Sequence, residues 1–320
     1  MLKIGKLKLH SALILSPMAG VSDLAFRLLN RRFGCELAFV EMINARSLGY
    51  RSLKTKAMMA TTGKDRPLGV QLLGCEENFI LRALDILKQY EFDIIDFNAA
   101  CPMKKVIRRG EGASLMRNPK KFNQLLKLIV KNSSVPVTAK IRSGWDEGSV
   151  NAREVALYAQ DAGVAALFIH GRTRAQIYHG RVDYEIIREV KEALDIPVIA
   201  SGDIFSSELT REMLERTGCD GVAVARGSLG NPWIFKELSA FFKNQKIPQR
   251  PVREEIVDIM LRHLELSVKV HGEKNGVVLF RKFFSYYTKG FRKVRPLRER
   301  ICRLKLKREM IEAIENLRCL

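Results

Sequence analysis

Eight apolar runs rich in Val, Ile, Leu and Phe fall within the first 225 residues, and stretches with helical spacing separate them. The runs cover residues 12–18, 37–42, 68–73, 93–98, 135–141, 166–170, 197–201 and 221–225. Strands that alternate with helices build parallel sheets, because a parallel partner is reached only through a crossover connection. Several runs are apolar on both parities, as befits strands covered on both faces. The helix punctuation agrees. Ser22 and Asp23 suit the cap of a helix over 24–33 that stops at Gly34, and Pro119 suits the first turn of a helix over 120–131. Gly163 and Gly218 close helices over 154–162 and 207–217. Repeated strand–helix units with right-handed crossovers close into a (β/α)8 TIM barrel. A doubly wound open sheet is the alternative, and it usually carries an early Gly-rich phosphate turn. The first run ends instead in Ser16-Pro17-Met18-Ala19-Gly20, so the α/β barrel is preferred.

The rhythm stops near Ile247. Pro248 and Pro251 punctuate a polar linker, and helical spacing then takes over. Ile256, Ile259, Met260, Leu264 and Val268 share one helical face. A second helix is expected over 277–289, ended by Gly290. A third stretch opens at Pro296 and carries Leu297, Ile301, Leu304, Ile311, Ile314 and Leu317. The expected division is a barrel over residues 1–246 and a C-terminal all-α helical-bundle domain over 247–320.

Charge narrows the partners. Lys and Arg number 55 against 35 Asp and Glu, a net charge of +20 that favours polyanions. From Arg281 to Arg308 twelve basic residues face Glu299 alone, interleaved with Phe283, Phe284, Tyr286, Tyr287 and Phe291. A solvated helical face explains such a segment; a nucleic-acid surface explains it better. No apolar run approaches the roughly eighteen residues of a membrane span, and the run 12–15 is too short for a signal-peptide core. A cytoplasmic protein is expected, with nothing that calls for an obligate protein partner. The six cysteines show neither C-x-x-C pairing nor zinc-site spacing.

In a barrel, chemistry collects at the C-terminal ends of the strands. There the chain places Pro17-Met18-Ala19-Gly20, Glu41-Met42-Ile43-Asn44, Gln71-Leu72-Leu73-Gly74, Asn98-Ala99-Ala100-Cys101-Pro102, Lys140-Ile141-Arg142, His170-Gly171-Arg172-Thr173-Arg174, Ser201-Gly202-Asp203 and Ala225-Arg226-Gly227. Gly202, Gly227 and Gly230 follow the last two strands, where barrels commonly bind a cofactor phosphate. The set has no carboxylate pair, no Ser/His/Asp group and no metal cluster. It suits an anionic cofactor better than hydrolysis.

This ordered set resembles the tRNA-dihydrouridine synthases, the bacterial DusB-like branch in particular. Lys105-Val106, Gly110-Glu111-Gly112-Ala113-Ser114-Leu115-Met116 and Asn231-Pro232-Trp233 extend the resemblance, which covers the whole chain. It implies an FMN enzyme, reduced by NADPH, that reduces the C5=C6 bond of uridines in tRNA, with hydride from flavin N5 to C6 and a proton from Cys101 to C5. The resemblance implies that Pro17, Met18 and Ala19 lie beside the flavin ring, that Gln71 pairs with its pyrimidine edge, and that Lys140 sits near N1/O2. It places His170 near the ribityl chain or phosphate, and it puts Ser201, Gly202, Asp203, Ala225 and Arg226 around the phosphate. Asn98 positions flavin or uracil. Cys101 must be a thiol for its role, and an unperturbed thiol with a pKa of about 8.5 is protonated near neutrality. A base in folded RNA must be flipped to reach such a mouth. Lys104, Lys105, Arg108 and Arg109, with Arg142, Arg172 and Arg174, are candidates for flanking phosphates, while the helical domain holds the tRNA body. Three positions depart from the family's usual residues: Ala100 and Ala225 stand for Gly, and Ser201 for Asn. Two rivals remain: an FMN barrel that reduces a free pyrimidine or enone, and a non-catalytic RNA-binding factor on the same scaffold.

Overall fold

The structure is a computed structural model that describes residues 1–319. Eight parallel barrel strands form at Leu13–Leu15, Leu37–Phe39, Leu68–Leu73, Ile94–Asn98, Val137–Arg142, Ala166–His170, Val198–Ser201 and Gly221–Val224. A short extension at Ile43–Asn44 continues the second of them. Each strand pairs with its neighbour in sequence, and the eighth returns to the first through Val222 opposite Leu13, which closes the barrel. The TIM-barrel expectation is met, and the open sheet is excluded by that last pairing.

The helices form where their caps permit. Asp23 accepts from the Phe26 amide at 2.8 Å and starts the helix Leu24–Arg31. Asn118 caps Pro119–Asn132 with proline in the first turn, and Gly218, at φ +65°, ends Ser207–Thr217. The N-terminal hairpin, Leu2–Ile4 against Leu7–Leu9, was not expected from the sequence. Its Leu2, Ile4 and Leu9 pack with Ile14, Leu37, Ile94, Ala166 and Ile199 and close the barrel floor.

Beyond the last barrel helix, Trp233–Phe242, come Arg253–His271, Glu273–Tyr287, Arg295–Ile301 and Lys307–Glu315. The stretch expected as one helix from Pro296 is two. Arg281 donates to the Leu304 carbonyl, and the Glu273 carboxylate accepts from the Lys307 amide at 2.7 Å, so side chains of another helix take over the groups at the break. The tail shares the barrel's main apolar core: Phe283 stacks on Phe26 at 5.4 Å between ring centroids, with His263 packed beside both. His271 Nε2 meets Asp23 Oδ2 at 2.8 Å, and Lys282 donates to the Gly20 carbonyl.

Gly230 sets how closely the tail approaches. It has φ +65°, and a Cβ there would lie 2.5 Å from the Tyr287 nitrogen and the Tyr286 carbonyl carbon. Backbone cannot rotate aside as a side chain does. Gly230→Ala is expected to destabilise the protein by about 1–3 kcal/mol, read as a lower denaturation midpoint; an unchanged midpoint contradicts this packing.

Candidate active site

Side chains alternate along a strand, so one parity of each barrel strand points inward. Inward residues are apolar near the floor and polar near the C-terminal mouth. The fourth strand runs Ile94, Asp96, Asn98; the sixth runs Ala166, Phe168, His170. Phe39 and Phe168 meet edge to face at 5.8 Å beneath the mouth. Above them opens a cavity of about 460 Å³, within the range of roughly 300–1,000 Å³ typical of ligand sites.

The cavity gathers Cys101 with Pro17, Met18, Ala19, Gln71, Asn98, Lys140, His170, Ser201, Gly202, Asp203, Ala225 and Arg226. Arg142 also lines it. Six other candidates lie outside. Lys104, Lys105, Arg108 and Arg109 are exposed on and just after the short helix Lys104–Ile107. Arg172 is buried, donating to the His179 and Gly180 carbonyls and pairing with Asp203. Arg174 lies over the Trp145 ring at 4.5 Å. Arg142, although at the mouth, is buried and spends donors on the carbonyls of Ala100 at 2.7 Å and of Thr173 and Ile177 at 2.9 Å each.

Polar groups form a connected set. Thr138 Oγ1 and Gln71 Nε2 donate to Asp96 at 2.7 and 2.6 Å. Asn98 Nδ2 donates to Gln71 Oε1 at 2.7 Å, and Asn98 Oδ1 accepts from the Ala100 and Cys101 amides at 3.0 and 2.8 Å. The chain therefore runs from the barrel interior to the main chain of Cys101. Asp96 was not singled out from the sequence, although it is the one acid in the run 93–98 at the inward parity of Asn98. Tyr178, Phe205 and Tyr286 also line the mouth; only Tyr286 had been noted, for its place in the basic segment. Tyr178 and Phe205 sit in loops, where no period marks them.

Burial governs the electrostatics. It pushes Lys140 down to about 8, against the opposing pull of Asp96, while Lys140 Nζ donates to Ser201 Oγ at 2.8 Å. It raises Asp96 to about 6, with the hydrogen bonds from Gln71 and Thr138 pulling the other way. His170 is held well below its ordinary value by burial and by the surrounding cations, so its ring is neutral. Burial also raises the Cys101 thiol, outweighing the Met103 backbone and Arg142, so the group stays protonated near neutral pH. At the far edge Asp203 pairs with both Arg172 and Arg226, the latter at 2.8 Å. Gly202 permits the turn there: a Cβ would lie 2.9 Å from His170 Cδ2. Among the described residues no His, Cys, Asp and Glu cluster suits a metal.

A closed parallel barrel with Lys140, the Cys101 thiol, Arg142 and Arg226 around one mouth defines a ligand-binding α/β-barrel. The sequence profile described as dihydrouridine synthase (Dus) matches residues 14–319. The tRNA-dihydrouridine synthase B of Pasteurella multocida is 35 % identical over 98 % of this chain and 95 % of its own length. That of Vibrio cholerae is 36 % identical over 98 % of each. The chain belongs to the dihydrouridine synthase family. In fold alone it is similar to histamine dehydrogenase from Rhizobium sp. 4-9, with TM-score 0.60 and 12 % identity over 83 % of this chain and 50 % of that one.

The raised Asp96 pKa has a sign. The folded state holds that proton more tightly than the unfolded chain does, so this group's contribution is fully present below about pH 4 and lost as pH rises through about 6. The unfolding free energy of the native protein, minus that of Asp96→Asn, is expected to fall across that window. A difference that stays flat from pH 4 to 7 contradicts a buried, ionisable Asp96.

Proposed function

We propose that this chain is an FMN-dependent tRNA-dihydrouridine synthase that reduces the C5=C6 bond of specific uridines in tRNA, with NADPH as the source of electrons. The observation that carries the reading is the joining of a protonated Cys101 thiol, two interior carboxamides and a buried lysine in one cavity of flavin size. The residues fit the cofactor. Pro17, Met18 and Ala19 offer an apolar wall, Gln71 and Lys140 offer a carboxamide and a cation to a pyrimidine edge, and the main chain at Gly202, Asp203 and Ala225 with the Arg226 guanidinium suits a phosphate. A bound flavin, once reduced, supplies hydride to uracil C6.

The rest falls to the protein. Cys101 gives its S–H proton to C5 from the other face, and the thiolate left behind takes a proton from solvent. Asn98 holds the peptide of Cys101 and so sets where the sulfur points. Arg142, braced by three carbonyls, faces the flipped base with its direction fixed. The exposed Lys104, Lys105, Arg108 and Arg109 meet phosphates beside the mouth, while Lys289, Arg292, Lys293, Arg303, Lys305 and Arg308 of the tail, all exposed, meet the body of the RNA. No described helix is long and apolar enough to cross a membrane, and the reading assigns the protein to the cytoplasm, where tRNA is found.

Cys101→Ala is expected to keep the yellow colour of bound flavin and to lose dihydrouridine formation by at least 100-fold, measured by nuclease digestion and mass spectrometry of the product RNA. Unchanged turnover removes the thiol from the mechanism. The reduced protein is further expected to be reoxidised by unmodified tRNA far faster than by free uridine. Equal rates favour a free-pyrimidine reductase, and a colourless protein without flavin absorbance favours the non-catalytic scaffold.

A further inference from the structure

Outside the cavity one basic cluster has no acidic partner among the described residues. Arg117, at the end of the turn Gly112–Arg117, and Arg174, after the sixth strand, both lie against the indole of Trp145, at 4.9 and 4.5 Å from the ring centroid. A guanidinium beside an indole is attracted to it, yet two cations on one ring repel each other. Neither is in an ion pair among the described residues. Arg174 Nε is buried without an acceptor among the described residues. The cluster is nevertheless built. Arg174 N donates to the Gly144 carbonyl at 2.8 Å, Ala175 N to that of Trp145 at 2.9 Å, and Asn151 Nδ2 to that of Met116 at 2.8 Å, so the three chain segments that carry the cluster are tied together.

Its position adds a second argument. In the closed strand order the fifth strand lies across the barrel from the first. The helical tail packs on the loops that follow the first and eighth strands, through Lys282 on Gly20 and Tyr286 at Gly230. Trp145 follows the fifth strand, so it stands on the opposite side of the mouth from the tail.

We propose that Arg117, Trp145 and Arg174 form a second RNA-backbone grip whose two guanidinium groups, each seated on the indole, take phosphodiester oxygens across the mouth from the helical tail. The proposal rests on the RNA reading above. Phosphate oxygens supply the negative charge that the two cations lack nearby, and guanidinium forks suit them. With both arginines against the ring, the indole supports them and is not free to stack on a base. Two grips on opposite sides hold an RNA over the opening, as delivery of one flipped base requires.

The test is tRNA binding by the full-length protein across a series of KCl concentrations, for the native chain, Arg117→Gln and Trp145→Leu. Arg117 is exposed, so its loss leaves folding intact, verified by an unchanged melting curve. Each variant is expected to weaken binding about three- to tenfold, and Arg117→Gln to lower the slope of log K against log salt by about 0.7–0.9. Native affinity and slope in both variants overturn the proposal while leaving the catalytic reading intact. A Trp145 fluorescence response to inorganic phosphate at constant ionic strength, with tRNA binding unaffected by Arg117→Gln, assigns the cluster to a free anion and overturns it equally. A native chain that binds tRNA no better than heparin removes the RNA reading itself.

Discussion

An ammonium group inside a barrel needs compensation, and Lys140 finds little of it. Its hydrogen-bond partner is the neutral hydroxyl of Ser201, which in turn donates to the Ile169 carbonyl at 3.1 Å. The carboxylate nearest in the interior, Asp96, is itself held by Gln71 and Thr138. Arg142 and Arg226 add further positive charge at the same mouth, and Asp203 is shared between Arg226 and Arg172. The opening is therefore a region of net positive potential in a low-dielectric setting, where charge acts more strongly than in water. Such a place is costly when empty and favours an anionic occupant. Burial first, and the same field second, keeps His170 neutral.

The chain Thr138–Asp96–Gln71–Asn98–Cys101 answers a different need. A carboxamide can turn end for end at little cost unless its neighbours distinguish oxygen from nitrogen. Ionised Asp96 only accepts, so Gln71 must present Nε2 to it, which leaves Oε1 for Asn98 and leaves Asn98 Oδ1 for the Cys101 amide. One acid thereby fixes two amides and a peptide. Ala100 belongs to the same arrangement, since its carbonyl is the acceptor of Arg142 Nε. The three departures from the family's usual residues thus find places: Ala100 and Ala225 line the cavity as small side chains, and Ser201 supplies the hydroxyl on Lys140.

Elements with a strong period were legible. The strands at 68–73, 166–170 and 221–224 lie where the apolar runs place them, because burial on both faces leaves few alternatives to Val, Ile and Leu. Residues at strand ends, among them Gln71, Lys140 and His170, could be gathered because a barrel brings its strand ends to one face. Loop residues could not. Nothing in the spacing of Tyr178 or Phe205 indicates that they reach the cavity, since loop paths are set by tertiary contacts. The N-terminal hairpin escaped because three-residue strands carry too little alternation to register. The split of the last helical stretch was hidden for the opposite reason: its apolar residues keep their spacing across the break, and the bonds that cause the break come from Arg281 and Glu273, far away in sequence.

The tail's charge and its packing have to be separated. Its basic residues invite the view that it is an RNA-binding module attached to a finished enzyme, but Phe26 of the first barrel helix is covered by Phe283, and His263 and Phe280 build on that contact. Tyr286 forms part of the cavity wall, at a place set by Gly230. Removing the tail therefore exposes apolar core and opens the cavity at once, and loss of RNA binding in a truncated protein says nothing about charge. The exposed residues Lys289, Arg292 and Lys293 lie outside that packing. Neutralising them leaves the wall in place, so any change in salt dependence reports on electrostatic contact with the RNA.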